Sequence, residues 1–229
     1  MLEQGRSLVD KASEEIIRLI IDHPYEAGEQ IPTEPELCDI LGASRNTIRE
    51  AIRALVARNV LEIHRGNGTF VSSKRGIPND PLGITFIEDK KQAAEDLMQI
   101  RFILEPPLAV LAVQNATEKD IEQLNQCRLD YENAVKEGKN PIEFDIAFHK
   151  QLAFCTKNVM MPNLIGVITE TIRIFSNLES GLEIESTIKS HREIYEAIAN
   201  KRASDAQDAM MIHLAQNRRK LKKEESSKE

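Results

Sequence analysis

Apolar residues recur at helical spacing through the first sixty residues of the chain and then alternate at strand spacing. The spacing predicts a helix over about 8–23, and Thr33 opens a second, short helix with the pattern of a capping box. Gly42 ends that helix, and Ser44 is a good N-cap for a third helix over about 45–58. VLEIH and GTFVS then read as two strands around the glycine-bearing turn RGNG. The order is three helices followed by a β-hairpin, which is the winged form of the helix-turn-helix.

The remainder of the chain has the period of helices throughout. The proline- and glycine-bearing stretch SKRGIPNDPLG separates it from the first part and has the composition of a linker. Helices are predicted at about 91–113, 118–137, 141–156, 160–179, 184–199 and 203–222. The predicted fold class is mainly α, with an N-terminal winged helix-turn-helix domain (1–74), a linker (75–90), an all-α helical bundle (91–222) and a frayed tail (223–229).

The net charge of −7 argues against nucleic acid, but the distribution of charge does not. Residues 44–75 hold seven Lys and Arg against two Glu, a local net charge of +5. Screening limits the reach of more distant charges to about 10 Å, so a basic patch can bind phosphates on an acidic protein.

The third predicted helix carries the residue types that read DNA. Arg45, Arg49 and Arg53 share an outward stripe, with Asn46 beside them and Thr47 near the helix N-terminus. Arginine pairs with guanine or phosphate and asparagine with adenine, so this face fits the major groove. The alternative is a solvated helix with ion pairs four residues apart, a spacing that Glu50 does not provide.

The run PTEPELCDILGASRNTIREAIRALVARNVLEIHRGNGTFV closely resembles the winged-helix domain of the GntR superfamily of bacterial transcription regulators. The resemblance implies DNA contacts from the third helix and from the wing, namely Ser44, Arg45, Asn46, Thr47, Arg49, His64, Arg65 and Gly66. One position departs from the family, because Pro35 stands where an arginine usually touches DNA. The operator sequence is therefore expected to differ from the common one.

A carboxylate and an imidazole interrupt the apolar segment EFDIAFHKQLAF. Asp145 and His149 lie on the same side of this helix as its apolar residues, and His191 and His213 lie on inward stripes of two other helices. A buried carboxylate without a partner is costly, so a partner is expected. One carboxylate and three imidazoles suit Zn²⁺, Ni²⁺ or a similar divalent ion. The alternative is a set of separate core histidines held by hydrogen bonds, because spacing cannot bring different helices together.

The second part of the chain also resembles a known domain. RFILEPPLAVLAV, FDIAFHKQLAF, SHREIYEAI and MMIHLAQN look like the FCD ligand-binding domain of FadR-type GntR regulators. The resemblance implies a divalent metal, zinc first and then nickel or manganese, held by Asp145, His149, His191 and His213. It also implies a small carboxylate effector, such as a hydroxy acid or sugar acid, whose carboxylate faces Arg101. The alternative for Arg101 is an ion pair with Glu105.

These features predict a homodimeric repressor of transcription that binds a palindromic operator in double-stranded DNA and is not an enzyme. Two rival hypotheses remain open: a metal-dependent enzyme that uses the Asp/His cluster, and a regulator with a structural metal and a lipid-like effector. The opening residues do not resemble a signal peptide, and no apolar run could span a bilayer. The protein is therefore expected in the cytoplasm, without a membrane partner.

Overall fold

The computed structural model describes residues 7–175 and 181–223. The chain divides into two compact units, Met1–Pro81 and Leu82–Glu229. The end of the predicted helix 160–179 and the predicted tail beyond residue 223 lie outside the described residues.

The first unit has three helices and a hairpin, as the hydrophobic pattern predicts. Its elements are α1 (Leu8–Asp22), α2 (Glu34–Leu41), α3 (Arg45–Ala57), β1 (Leu61–His64) and β2 (Gly68–Val71). Capping residues fix the boundaries: Thr33 and Glu36 form a capping box before α2, and the Ser44 side chain accepts a hydrogen bond from the Thr47 amide at the start of α3. Gly42 ends α2 in the left-handed conformation, with φ of 62°.

A small core holds these elements together. The apolar stripe of α3 is fully buried and includes Ile48, Ile52 and Leu55. The antiparallel hairpin pairs Leu61 with Val71 and His64 with Gly68. The segment around Gln30 runs beside β2, because Gln30 forms a bridge with Phe70 and the amide of Ile31 donates to the carbonyl of Thr69. The wing is thus attached to the unit along its second strand.

The second unit is a bundle of helices over its described residues. They are α4 (Lys90–Asn115), α5 (Glu118–Lys136), α6 (Ile142–Cys155), α7 (Met161–Phe175), α8 (Gly181–Ala199) and α9 (Ala203–Lys223). Helix α4 packs against α9 and α6, and α8 packs against α9 and α5. The fold class predicted from the sequence is confirmed: a helix-turn-helix unit with a two-stranded hairpin and an all-α bundle.

Both ends of the predicted linker 75–90 are attached to the neighbouring units. The amide of Gly76 donates to the carbonyl of Asn59, and the side chain of Asn59 donates to the carbonyl of Ile77. Further along, a single turn of 3₁₀ helix, Ile84–Phe86, buries Ile84 against Leu97. Periodicity could not reveal these attachments, because each depends on one residue. The functional domain boundaries remain a prediction.

No helix in the described part of the chain combines the length and the apolar character needed to cross a membrane.

The fold of the first unit predicts a sharp contrast within α2. Leu37 is fully buried, whereas Ile40, three residues later, is 54% exposed. Leu37→Ala should lower the free energy of unfolding by about 2–5 kcal/mol, because it removes buried surface and leaves a cavity, and Ile40→Ala should lower it by less than about 1 kcal/mol. Urea unfolding followed by circular dichroism would measure both. Equal losses would contradict the described packing of α2.

Candidate DNA interface and candidate metal centre

Helix α3 presents a polar and basic face to solvent. Arg45, Asn46 and Arg49 are exposed, as is the capping Ser44, and Thr47 is half-buried. The Ser44 and Thr47 hydroxyls are hydrogen-bonded to each other at 2.8 Å. The helix N-terminus adds unpaired backbone amides that favour a phosphate. The residues predicted to contact DNA are thus accessible together at one end of the helix.

Acidic neighbours engage the arginines to different degrees. Arg53 donates to Glu50, three residues away, at 2.6 Å. The alternative of an ion-paired, solvated helix is therefore correct for Arg53, at a spacing of three residues instead of four. The side chains of Arg45 and Arg49 lie 3.8 and 3.7 Å from Glu34. Exposed pairs of that length are weak. Arg45 and Arg49 are therefore available to a phosphate or a base.

The tip of the wing is exposed at His64, Arg65 and Gly66. The imidazole of His64 stacks on the ring of Phe70, with 4.5 Å between centroids. Gly66 has φ of 81°, a conformation that favours glycine and turns the chain tightly at the tip. The Gln30 side chain donates to the carbonyl of Asn67 and so braces the tip.

The second unit brings together the four residues singled out as metal ligands. Asp145 and His149 come from α6, His191 from α8 and His213 from α9. One ligand atom from each lies within 4.8 Å of every other. The three imidazoles are fully buried, and Asp145 is half-buried. The sequence could not place these helices side by side, and their packing does so.

The separations within this cluster suit a divalent ion. Nε2 of His149 lies 3.1 Å from Nε2 of His213 and 3.9 Å from a carboxylate oxygen of Asp145. Nε2 of His191 lies 3.1 Å from that same oxygen. Ligands held tetrahedrally about 2.0–2.2 Å from zinc are about 3.3–3.6 Å apart.

Several polar atoms of the cluster are buried without a hydrogen-bond partner among the described residues. They include Oδ1 of Asp145 and both ring nitrogens of His191. Leaving such groups unpaired costs about 1–3 kcal/mol each. A cation bound in the cluster would satisfy Oδ1 of Asp145 and one ring nitrogen of His191, so the donor set fits a metal ion.

Neighbouring side chains fix the tautomers of two imidazoles. Arg101 can only donate, so the contact of 3.1 Å from its Nη2 makes Nε2 of His149 an acceptor. The proton of His149 is then on Nδ1, which lies 2.7 Å from a carboxylate oxygen of Glu105, although the contact is not aligned as a hydrogen bond.

His213 has the same arrangement. The amide nitrogen of Asn217 lies 3.1 Å from Nε2 of His213, and the hydroxyl oxygen of Ser190 lies 2.8 Å from Nδ1. Ser190 gives its own proton to the carbonyl of Thr187 at 3.1 Å, so its oxygen accepts from Nδ1. Asn217, Ser190 and His213 can all form these hydrogen bonds when Nδ1 of His213 carries the proton and Nε2 carries a lone pair. Two lone pairs, one on each Nε2, therefore face each other across 3.1 Å.

The charges of the cluster follow from its burial and its contacts. Burial lowers the pKa of His191, and burial with two neighbouring imidazoles lowers the pKa of His213, so both rings are neutral. Burial opposes the charge on Asp145, but the close contact with His191 and the nearby imidazoles lower its pKa. These are the protonation states that metal ligands require.

Arg101 lies beside the cluster and is 1% exposed. It forms an ion pair with Glu105 through both carboxylate oxygens. Burial opposes the charge on Glu105, but Arg101 and His149 together lower its pKa to about 2. The Arg101–Glu105 ion pair, which the sequence offered as the alternative to an effector contact, is therefore present but buried. The contacts to Glu105 and His149 use three of the five N–H groups of the guanidinium.

Sequence reasoning did not foresee three contacts to the imidazoles, although it named Glu105 as a partner for Arg101. Glu105, Ser190 and Asn217 each contact an imidazole that faces the cluster. The contact of Asn217 could have been found from the sequence, because Asn217 follows His213 by four residues and so lies next to it on the same face of the helix. The contact of Ser190 could not have been found, because the adjacent His191 gave no hint that Ser190 faces another helix.

Comparisons with known proteins agree with both units. Residues 8–71 match the family model described as bacterial regulatory proteins, gntR family, and residues 96–216 match the FCD domain. Members of the GntR family bind operator DNA and are typically dimers, and FCD domains are known to bind metals.

Individual relatives extend along nearly the whole chain. The HTH-type transcriptional regulator LutR of Bacillus subtilis is 27% identical over 86% of this chain and 93% of its own. The galactonate operon transcriptional repressor of Escherichia coli is 27% identical over 89% of this chain and 92% of its own.

A solved structure gives the same result in three dimensions. The structure of a GntR protein from Streptococcus agalactiae is 36% identical, covers 92% of this chain and 99% of its own, and superposes with a TM-score of 0.78. The chain thus belongs to the GntR family of bacterial regulatory proteins and carries an FCD domain, which makes it a DNA-binding transcriptional regulator and not an enzyme.

Proposed function

We propose that this protein is a homodimeric, cytoplasmic repressor whose binding to a palindromic operator is controlled by a small organic acid, bound together with a divalent metal in the FCD domain. The observation that carries the proposal is the convergence of Asp145, His149, His191 and His213 within 4.8 Å. Zinc is the first candidate, because three imidazoles and one carboxylate suit its ligand preference, with nickel and manganese next.

Electrostatics support an anionic effector that depends on the metal. With each imidazole in the neutral form that a metal ligand requires, Arg101 contributes one positive charge and Glu105 and Asp145 contribute two negative charges, which leaves −1. A divalent cation changes this to +1. An anion is therefore repelled by the metal-free cluster and attracted by the metal-loaded one. A buried, charged site of this kind also fits an organic acid better than the lipid-like effector considered as an alternative.

A hydroxy acid or sugar acid matches the chemistry of the site. Its carboxylate would face Arg101, whose planar N–H groups suit carboxylate oxygens. The galactonate operon repressor of Escherichia coli, to which this chain is similar over most of its length, is named for a sugar acid. When bound, the metal would supply a Lewis-acid contact for the same oxygen atoms.

Operator binding is assigned to the exposed face of α3 and the tip of the wing. The proposed contacts are Ser44, Arg45, Asn46, Thr47, Arg49, His64, Arg65 and Gly66. All of them except the half-buried Thr47 are exposed, and the local charge is +5, which supports this assignment. Regulation requires that the effector bind unequally to the two states of the dimer, and a coupling of about 1–3 kcal/mol would suffice.

An uncharged face of α4 is the proposed surface between two copies of the chain. From residue 99 to residue 115 its exposed side chains carry no charge, whereas 29% of all residues are charged. The charged residues in this stretch, Arg101 and Glu105, are both buried. Ile103 is 70% exposed on this face, which is about 24 Å long. An uncharged strip of this kind can pair with its own copy across a two-fold axis, and the family is typically dimeric.

Removal of one recognition arginine should weaken operator binding. Arg49→Ala should reduce affinity for the protein's own promoter region by about 5- to 150-fold, because a base or phosphate partner is lost. Fluorescence anisotropy with labelled promoter DNA would measure this. Arg18→Ala is the matched control, since Arg18 is exposed on α1 and pairs with Glu15. Wild-type affinity of Arg49→Ala would remove α3 from the operator interface.

Metal content tests the cluster directly. The wild-type protein, purified with zinc present, should hold about one divalent ion per chain, and His191→Ala should hold none. Asp145→Asn, which preserves the shape of the side chain, should weaken binding as well. His23→Ala, an exposed histidine outside the cluster, is the control. Elemental analysis with circular dichroism separates loss of metal from loss of fold, and wild-type protein without metal would refute the proposed centre.

A charge placed on the uncharged face of α4 should separate the dimer. Ile103→Glu should shift sedimentation from dimer to monomer, because two carboxylates would be buried against apolar partners. Val159→Glu introduces the same charge at a site that is 85% exposed and should leave the dimer intact. A dimer that persists in Ile103→Glu would exclude this face as the contact between copies.

A further inference from the structure

We infer that Asn217 donates a hydrogen bond to the effector. Asn217 is free to do so only when the metal centre is loaded, because the metal takes the lone pair of His213 to which Asn217 otherwise donates. The inference rests on the proposed metal site and adds to it a second contact, distinct from Arg101. It names the effector feature that this contact recognises: a hydroxyl or carboxylate oxygen that accepts a hydrogen bond.

The position of Asn217 is set by helix geometry. It lies one turn after His213 on α9, and its amide nitrogen is 3.1 Å from Nε2 of that imidazole. Arg101 occupies the equivalent position on the other imidazole, with its Nη2 3.1 Å from Nε2 of His149. Because those two Nε2 atoms face each other, Arg101 and Asn217 are N–H donors that flank the centre of the cluster.

Both donors rely on lone pairs that a metal ion would take. Once Nε2 of His149 and Nε2 of His213 coordinate a cation, neither can accept from a neighbouring N–H. Arg101 keeps its ion pair with Glu105. For the amide nitrogen of Asn217, His213 is the one hydrogen-bond partner within the part of the chain that the structure describes.

Metal loading therefore leaves an amide donor at the edge of the centre in need of an acceptor. Asn217 is half-buried, so losing its partner has a free-energy cost. An organic acid that reaches the centre presents oxygen atoms at the point where this donor is released. The effector carboxylate would accept hydrogen bonds from Arg101, and a hydroxyl or a second oxygen of the effector would accept one from Asn217. This gives metal and effector positive cooperativity through the residues of the chain itself.

Zinc alone tests the first half of the inference. In ¹H–¹⁵N spectra of the full-length protein, the side-chain amide signals of Asn217, assigned by their absence in Asn217→Ala, should shift when one equivalent of zinc is added. The amide signals of Asn200, which donates to a backbone carbonyl at the end of α8, should not shift. Asn217 signals that zinc leaves unmoved would overturn the inference.

Effector titration tests the second half. Calorimetry of zinc-loaded protein against L-lactate, D-gluconate and D-galactonate should show that an acid bound by the wild type binds about 10-fold or more weakly to Asn217→Ala. Asn217→Asp, which replaces the donor by a negative charge, should weaken it further, and Asn200→Ala should match the wild type. Zinc affinity should not fall in Asn217→Ala, because the amide is not a ligand. Equal acid binding by wild type and Asn217→Ala would overturn the role of Asn217 while leaving the metal centre intact, whereas a wild type without zinc would refute the centre itself.

Discussion

Two imidazole nitrogens that both carry lone pairs face each other across 3.1 Å in the core of the helical bundle. The arrangement is imposed by their surroundings, because Arg101 can only donate to His149 and Ser190 accepts from His213. Lone pairs held so close repel unless a donor or a cation lies between them. This constraint connects α4, α6, α8 and α9, since each helix supplies a ligand or a residue that orients one.

The same constraint explains why polar groups are tolerated among apolar ones. Phe148 stacks on His191 with 4.0 Å between ring centroids, so the imidazole also packs as a core residue. Glu105 and Arg101 are buried as a pair, which keeps either charge from being left alone. Replacing one residue of the pair would lower stability by more than the loss of its own contacts, because the other charge would be left buried without a partner. Stability and sensing therefore depend on the same side chains.

Much of the fold could be predicted from the sequence because local rules govern it. Ser44 and Gly42 set helix ends through capping, and the alternation in VLEIH identifies a strand. The four proposed ligands could be singled out because a carboxylate and histidines on apolar helix faces are costly without partners. Ser190 and Ile84 could not be predicted, since their roles depend on contacts with other helices. A spacing of four residues does not predict the Arg53–Glu50 pair, but a spacing of three also brings side chains together on a helix.

The most direct measurement is X-ray absorption at the zinc edge of the zinc-loaded, full-length protein. The account predicts scattering from three imidazole rings, with zinc–nitrogen distances of about 2.0–2.1 Å, together with carboxylate oxygen. A change in the light-atom shell is expected when an organic acid is added. A spectrum without imidazole scattering, or with sulfur in the first shell, would contradict it.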